Sequence, residues 1–140
     1  MLLPCEIATK CILPPVRAML AKELTTKHQL KQAEIAKLLG VSQPAISLYS
    51  RKMRGKAICL ENQDEIEKLV KNLADRMAKR ELSSKEFIVI FCEICKAIRA
   101  KGLLCELHKA LDPSFDVDKC ELCLTVSKIS CLRESLNGSG

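Results

Sequence analysis

Apolar residues recur along the chain at spacings of three and four, the period of an amphipathic helix, and no segment alternates as a half-buried strand would. Val16, Met19, Leu20 and Leu24 form one such stripe, opened by Pro14-Pro15 where a first-turn proline is tolerated; they predict a helix running to about Lys27. A second helix is expected over 32–39, with Ile35, Ala36, Leu38 and Leu39 apolar and Gly40 as its left-handed stop. Ser42 is a good N-cap for a third, over 43–49, with Pro44 in its first turn. A longer helix over 62–80 places Ile66, Leu69, Val70, Leu73 and Met77 on one stripe. Ser83 and Glu86 form a capping box, which starts a helix carrying Phe87, Ile90, Phe91, Ile94 and Ile98 and stopping at Gly102. A short helix over 103–111 ends before Asp112-Pro113, and a last helical stretch is expected over 120–132.

With 48% hydrophobic residues the chain can bury a core, which argues against disorder. Three Phe, one Tyr and no Trp exclude a sugar- or base-stacking surface built on ring faces. The longest apolar run, 87–92, falls well short of the ~18–20 residues that cross a bilayer. The N-terminus lacks the basic and long apolar regions of a signal peptide. A soluble, cytoplasmic protein with no membrane partner is expected.

Charge changes the picture. Residues 1–60 carry ten Lys/Arg against three Asp/Glu, whereas 61–140 carry thirteen against fourteen. A basic N-terminal half implies a polyanionic partner, and the near-neutral half another task. Residues 32–51 meet the demands of a helix-turn-helix in detail. Ala36 is the small residue where the two helices cross, Gly40 takes the turn, and Ile35, Leu39, Val41, Ile46 and Tyr49 face the core. The run from Gln32 through Gly40-Val41-Ser42-Gln43 to Ala45-Ile46-Ser47 resembles the lambda-repressor-like (XRE-family) transcriptional regulators, over roughly residues 15–60. The resemblance implies a double-stranded DNA operator as partner. The residues expected to contact it are Gln32, Ser42, Gln43, Ser47, Arg51, Lys52, Arg54 and Lys56. Gln43 is the candidate for reading a base, since glutamine can bond adenine N6 and N7 together. The basic loop 51–56 and Gln32 are suited to phosphates. The plain alternative is a helical hairpin within a structural bundle.

Nine cysteines are more than a chain of this size ordinarily carries, and in a reducing compartment such clusters bind metal or do redox chemistry. Cys92-Glu-Ile-Cys95 and Cys120-Glu-Leu-Cys123 are two Cys-x-x-Cys pairs, with Cys105-Glu-Leu-His108 between them. Four thiolates converging on one centre are a strong soft-metal signal. Cys92, Cys95, Cys105, Cys120 and Cys123 are the expected ligands. Cys5, Cys11 and Cys59 read as small buried hydrophobes. His108 is either a ligand or a histidine on a helix surface. The whole chain resembles small, mainly archaeal regulators that join such a helix-turn-helix to a cysteine-rich tail.

The expected architecture is all-α: a helix-turn-helix domain over 1–60, a linking or dimerisation helix over 61–82, a cysteine-rich region over 83–136 and a disordered tail over 137–140. The expected function is a homodimeric DNA-binding regulator, not an enzyme, whose cysteines hold an iron–sulfur cluster, such as 4Fe-4S, that senses iron, sulfur or redox state. A structural zinc site is the alternative. A thiol oxidoreductase is weaker, because Cys92/Cys95 lacks the βαβ context of thioredoxin-like folds.

Overall fold

The periodicity of the sequence is realised as helix throughout the computed structural model, which describes residues 2–50, 60 and 62–123. In chain order the helices are α1 (Pro4–Cys11), α2 (Leu13–Thr26), α3 (Gln32–Leu39), α4 (Gln43–Ser50), α5 (Asp64–Ala78), α6 (Ser84–Ala100) and α7 (Cys105–Leu111). One 3-10 turn, Val117–Lys119, follows, and no strand occurs among the described residues. The fold is all-α, as expected.

Capping chemistry sets several boundaries. Ser83 accepts a hydrogen bond from Glu86 N (3.2 Å) while the Glu86 carboxylate accepts from Ser83 N (2.8 Å), so both residues of the predicted box act. Ser42 Oγ accepts from Ala45 N at 3.3 Å at the start of α4. Gly40 (φ 66°) and Gly102 (φ 74°) both occupy the left-handed region that glycine enters without penalty.

Three expectations need correction. Helix α1 was not anticipated, although Pro4 sits in its first turn and Glu6 Oε2 accepts from Leu3 N at 2.7 Å. Helix α5 is shorter than 62–80, because Asn62 (φ 69°) and Arg80 (φ 56°) are left-handed and so lie outside it. The last helical stretch does not begin at Cys120: Glu121 has φ 51°, which no right-handed helix accommodates. Residues 124–132 lie outside the described residues, as do Cys59, Cys131 and the 137–140 tail.

One continuous apolar core runs from Ile7 in α1 to Cys123. Helix α5 packs on α2 and α6, and α1 packs on both α2 and α7. The α5 stripe is spent within the protomer, since Ile66 and Leu73 are fully buried and Val70 and Met77 nearly so. It is therefore not a free dimer seam, and α5 is part of the packed core rather than a bare linker. Each such side chain contributes about 1.5–3 kcal/mol by leaving water. Polar ties reinforce the packing. His28 Nε2 lies 2.8 Å from Asp75 Oδ1 and Lys27 Nζ 3.2 Å from it, joining the end of α2 to α5. Hydrogen bonding from His28, then from Lys27, holds the Asp75 carboxyl below its ordinary pKa.

Candidate functional site

Two places in this fold concentrate chemistry. The first is the pair α3–α4, joined by the turn Gly40-Val41-Ser42. Ile35, Ala36, Leu39, Ala45, Ile46 and Tyr49 are buried against α2 and each other. Val41 packs on the same core, and its N–H donates to Ala36 O at 3.0 Å, closing the turn. The polar positions point the other way: Gln32, Ser42 and Gln43 are exposed and Ser47 is half-buried. Gln43 and Ser47 are four residues apart, one turn along α4. Arg51, Lys52, Arg54 and Lys56 lie outside the described residues.

The second place is the end of α6, the start of α7 and the turn after Lys119. Cys92, Cys95 and Arg99 follow one another along α6 at spacings of three and four, so they share a face. Cys105 opens α7, while Cys120 and Cys123 flank a turn. In that turn Cys120 (φ −73°, ψ −47°) is right-handed and Glu121 left-handed. This succession is the one that forms backbone N–H nests, the concavities that receive anions and iron–sulfur groups.

The thiols influence one another across these segments. Burial, the largest cause, pushes the Cys95 thiol up to about 11; Arg99 pulls it down, while Cys92, Cys5 and Cys123 stand close enough to raise it further. Burial likewise raises Cys105, with Cys123 and Cys120 next in effect. Cys123 is the thiol common to both. Its sulfur is buried and accepts a hydrogen bond from Arg99 Nε at 3.5 Å.

One residue here, Arg99, was not singled out by sequence reasoning, and Cys5 and His108 sit differently from what was expected of them. Arg99 is only 9% exposed. Cys5 is exposed rather than a buried hydrophobe, and its neighbourhood with Cys95 brings α1 to the thiols. Cys11, by contrast, is buried as expected. His108 is not a surface histidine: it is 4% exposed, its ring stacks on Phe115 with centroids 4.7 Å apart, and its Nε2 has no hydrogen-bond partner among the described residues. The i, i+3 spacing of Cys105 and His108 was the one available signal for it.

The loop after α7 is also anchored by its own polar contacts. Leu2 N donates to Asp112 Oδ2 at 2.8 Å, and Ser114 Oγ donates to Asp112 Oδ1. These two hydrogen bonds, Ser114 foremost, lower the pKa of Asp112.

A thiolate-rich donor set with an unpartnered buried imidazole nitrogen fits a soft metal centre in kind. Among the described residues, however, no three His, Cys, Asp or Glu side chains are gathered around one point as a finished metal cage. Cys92, Cys95, Cys105, Cys120 and Cys123 are thus divided among α6, α7 and the turn after Lys119, and no three of them surround one point. No helix among the described residues is long and apolar enough to cross a membrane. No protein-family model matches the chain, and comparison with curated proteins and with solved structures gives no match either.

Proposed function

We propose that this chain is a DNA-binding transcriptional regulator whose C-terminal cysteines hold an iron–sulfur cluster reporting iron, sulfur or redox state. The observation that carries the DNA-binding half is α4: Ile46 and Tyr49 are buried beneath it while Gln43 stands exposed in its first turn. That is the arrangement a recognition helix needs, with N-terminal residues free to meet base edges. On this reading Gln43 reads a base, Ser47 lies beside it, Ser42 and Gln32 approach the backbone, and Arg51, Lys52, Arg54 and Lys56 neutralise phosphates. A palindromic operator calls for a homodimer, formed through a face other than the buried α5 stripe.

The cysteine half rests on the two Cys-x-x-Cys spacings, on α6 and at the turn after Lys119, and on the Arg99–Cys123 contact that ties these two segments together. Cys92, Cys95, Cys105, Cys120 and Cys123 would hold the cluster, which when bound supplies an electron-transferring, oxygen-sensitive group. Helix α1 supplies a route for coupling, because it packs on α7 at one side and on α2 of the DNA-binding bundle at the other. Tightening or loosening the cysteine segments would thus bear on the spacing of two DNA-binding heads about 34–36 Å apart.

A structural zinc site is the second reading, favoured by one observation. The tight turn at Glu121 resembles a zinc knuckle more than a helical pair does. An oxidoreductase gains nothing here, as no strand among the described residues gives Cys92/Cys95 a βαβ setting.

Iron and acid-labile sulfide analysis of anaerobically purified protein separates these readings. A coloured protein with sulfur-to-iron charge-transfer absorption and matching iron and sulfide is expected. A colourless protein with one zinc per chain would overturn the cluster. For the DNA half, Gln43→Ala should cost roughly 1–3 kcal/mol on duplexes selected from a random pool by the parent protein, and relax preference at one base pair. Unchanged sequence preference would remove α4 from the groove.

A further inference from the structure

A guanidinium is charged at every accessible pH, so burying one without an anion is among the costliest arrangements a protein can hold. Arg99 is buried to within 9% of full burial, on the same face of α6 as Cys95. Among the described residues no carboxylate lies within ion-pair distance of it. The ion pairs on either side go elsewhere, with Lys96 paired to Glu93 and Lys101 to Glu65. What Arg99 does meet is sulfur, its Nε donating to Cys123 Sγ at 3.5 Å. Cys123 is itself 7% exposed, so this donor and acceptor face each other away from water.

We propose that Arg99 is the built-in countercharge of the cysteine centre, a positioning residue that holds Cys123 toward Cys95 and balances the negative charge of a thiolate-ligated metal. This inference rests on the thiolate-centre reading above and adds a residue to it that is not itself a ligand. Two properties of the side chain suit the task. Its donors form a rigid fork, so the Nε bond to Cys123 leaves the terminal nitrogens for further sulfurs. Its charge offsets part of the excess anion that four thiolates bring to one ion, and charge-assisted hydrogen bonds to metal-bound sulfur tune such centres. In the metal-free protein the same contact joins Cys123 to α6.

The test uses full-length, metal-free protein titrated anaerobically with Co2+, whose sulfur-to-metal charge-transfer band reports thiolate ligation directly. Parent, Arg99→Lys, Arg99→Gln and Arg99→Met proteins are compared, with helical circular dichroism as the check on folding. Lys keeps the charge, Gln keeps hydrogen-bonding capacity, and Met keeps only the volume. Loss of a charge-assisted hydrogen bond in a buried site predicts Co2+ affinity at least about tenfold weaker in Met and Gln, with a shifted charge-transfer band. Lys should stay within about threefold of the parent. Equal affinity and an unshifted band in Gln or Met would overturn the role of Arg99, as would a Lys variant as weak as Gln. If Met fails to fold, the Lys–Gln pair still decides. A parent protein with no thiolate–Co2+ band overturns the thiolate centre itself, and Arg99's role with it, which distinguishes the two failures.

Discussion

The α2–α5 bundle and the cysteine end of the molecule are held together by different forces. In the bundle the fully buried side chains are aliphatic: Val16, Leu20, Leu24, Ile35, Ile46, Ile66 and Leu73. At the cysteine end the buried groups include Arg99 and Cys123, which meet each other, His108, which meets a ring, and Asp112, which meets a backbone N–H. Apolar burial is non-directional and complete without a partner molecule. Buried polar groups carry a desolvation penalty that only specific partners offset, and His108 Nε2 has none among the described residues. The bundle is thus held mainly by apolar burial, whereas the cysteine end carries the buried polar groups on which the proposed metal chemistry rests.

The sharpest way to break this comparison is to damage the scaffold. Ile46 is 1% exposed beneath α4, and Ile46→Ala should destabilise the protein by about 2–5 kcal/mol. Thermal unfolding should show the loss equally in metal-free and metal-loaded protein, since the core at Ile46 needs no metal. A loss recovered on metal loading would mean that the two ends are not separately stabilised.

Gly40→Ala is a milder probe of the same region. A Cβ at Gly40 meets nothing within 4 Å, so the cost is the left-handed backbone alone, about 1–2 kcal/mol. Denaturant unfolding should give that value without changing the slope. A much larger effect would reveal crowding that the turn does not show.

The remaining effect belongs to the cysteine end and has a definite sign. Cys95 is raised in the folded metal-free protein, to about 11. Its contribution to stability is thus fully present below the unfolded thiol value, about 8.5, and is lost as pH rises from there toward the folded value. Melting of metal-free protein should fall between pH 8 and pH 10.5, and Cys95→Ala should flatten that fall. A parent protein equally stable at both pH values would show that Cys95 is not held as a buried thiol.

Much of the bundle was legible in the sequence because its signals are local. Gly40, Ser42, Ser83 and Glu86 act through neighbours three or four residues away, and the stripe Ile66–Met77 has a single period. Helix α1 was missed because its apolar face, Ile7, Ala8, Cys11 and Ile12, is brief and interrupted by Thr9 and Lys10. The cysteine pairs were legible as spacing, yet their surroundings were not. Nothing local brings Leu2 to Asp112 or Cys5 toward Cys95, and Arg99 meets Cys123, twenty-four positions away. The left-handed Glu121 was equally hidden, since glutamate ordinarily favours helix.

The central proposal is that the bundle binds DNA and that the cysteine end controls it, and one measurement bears on this most directly. Affinity for a selected duplex is measured anaerobically, at one salt concentration, for cluster-loaded protein, chelator-stripped protein and Cys95→Ser. Loaded protein should differ from the other two by at least about tenfold, and stripped and Cys95→Ser proteins should agree with each other. Equal affinity in all three would contradict the account and leave the cysteine end a purely structural element.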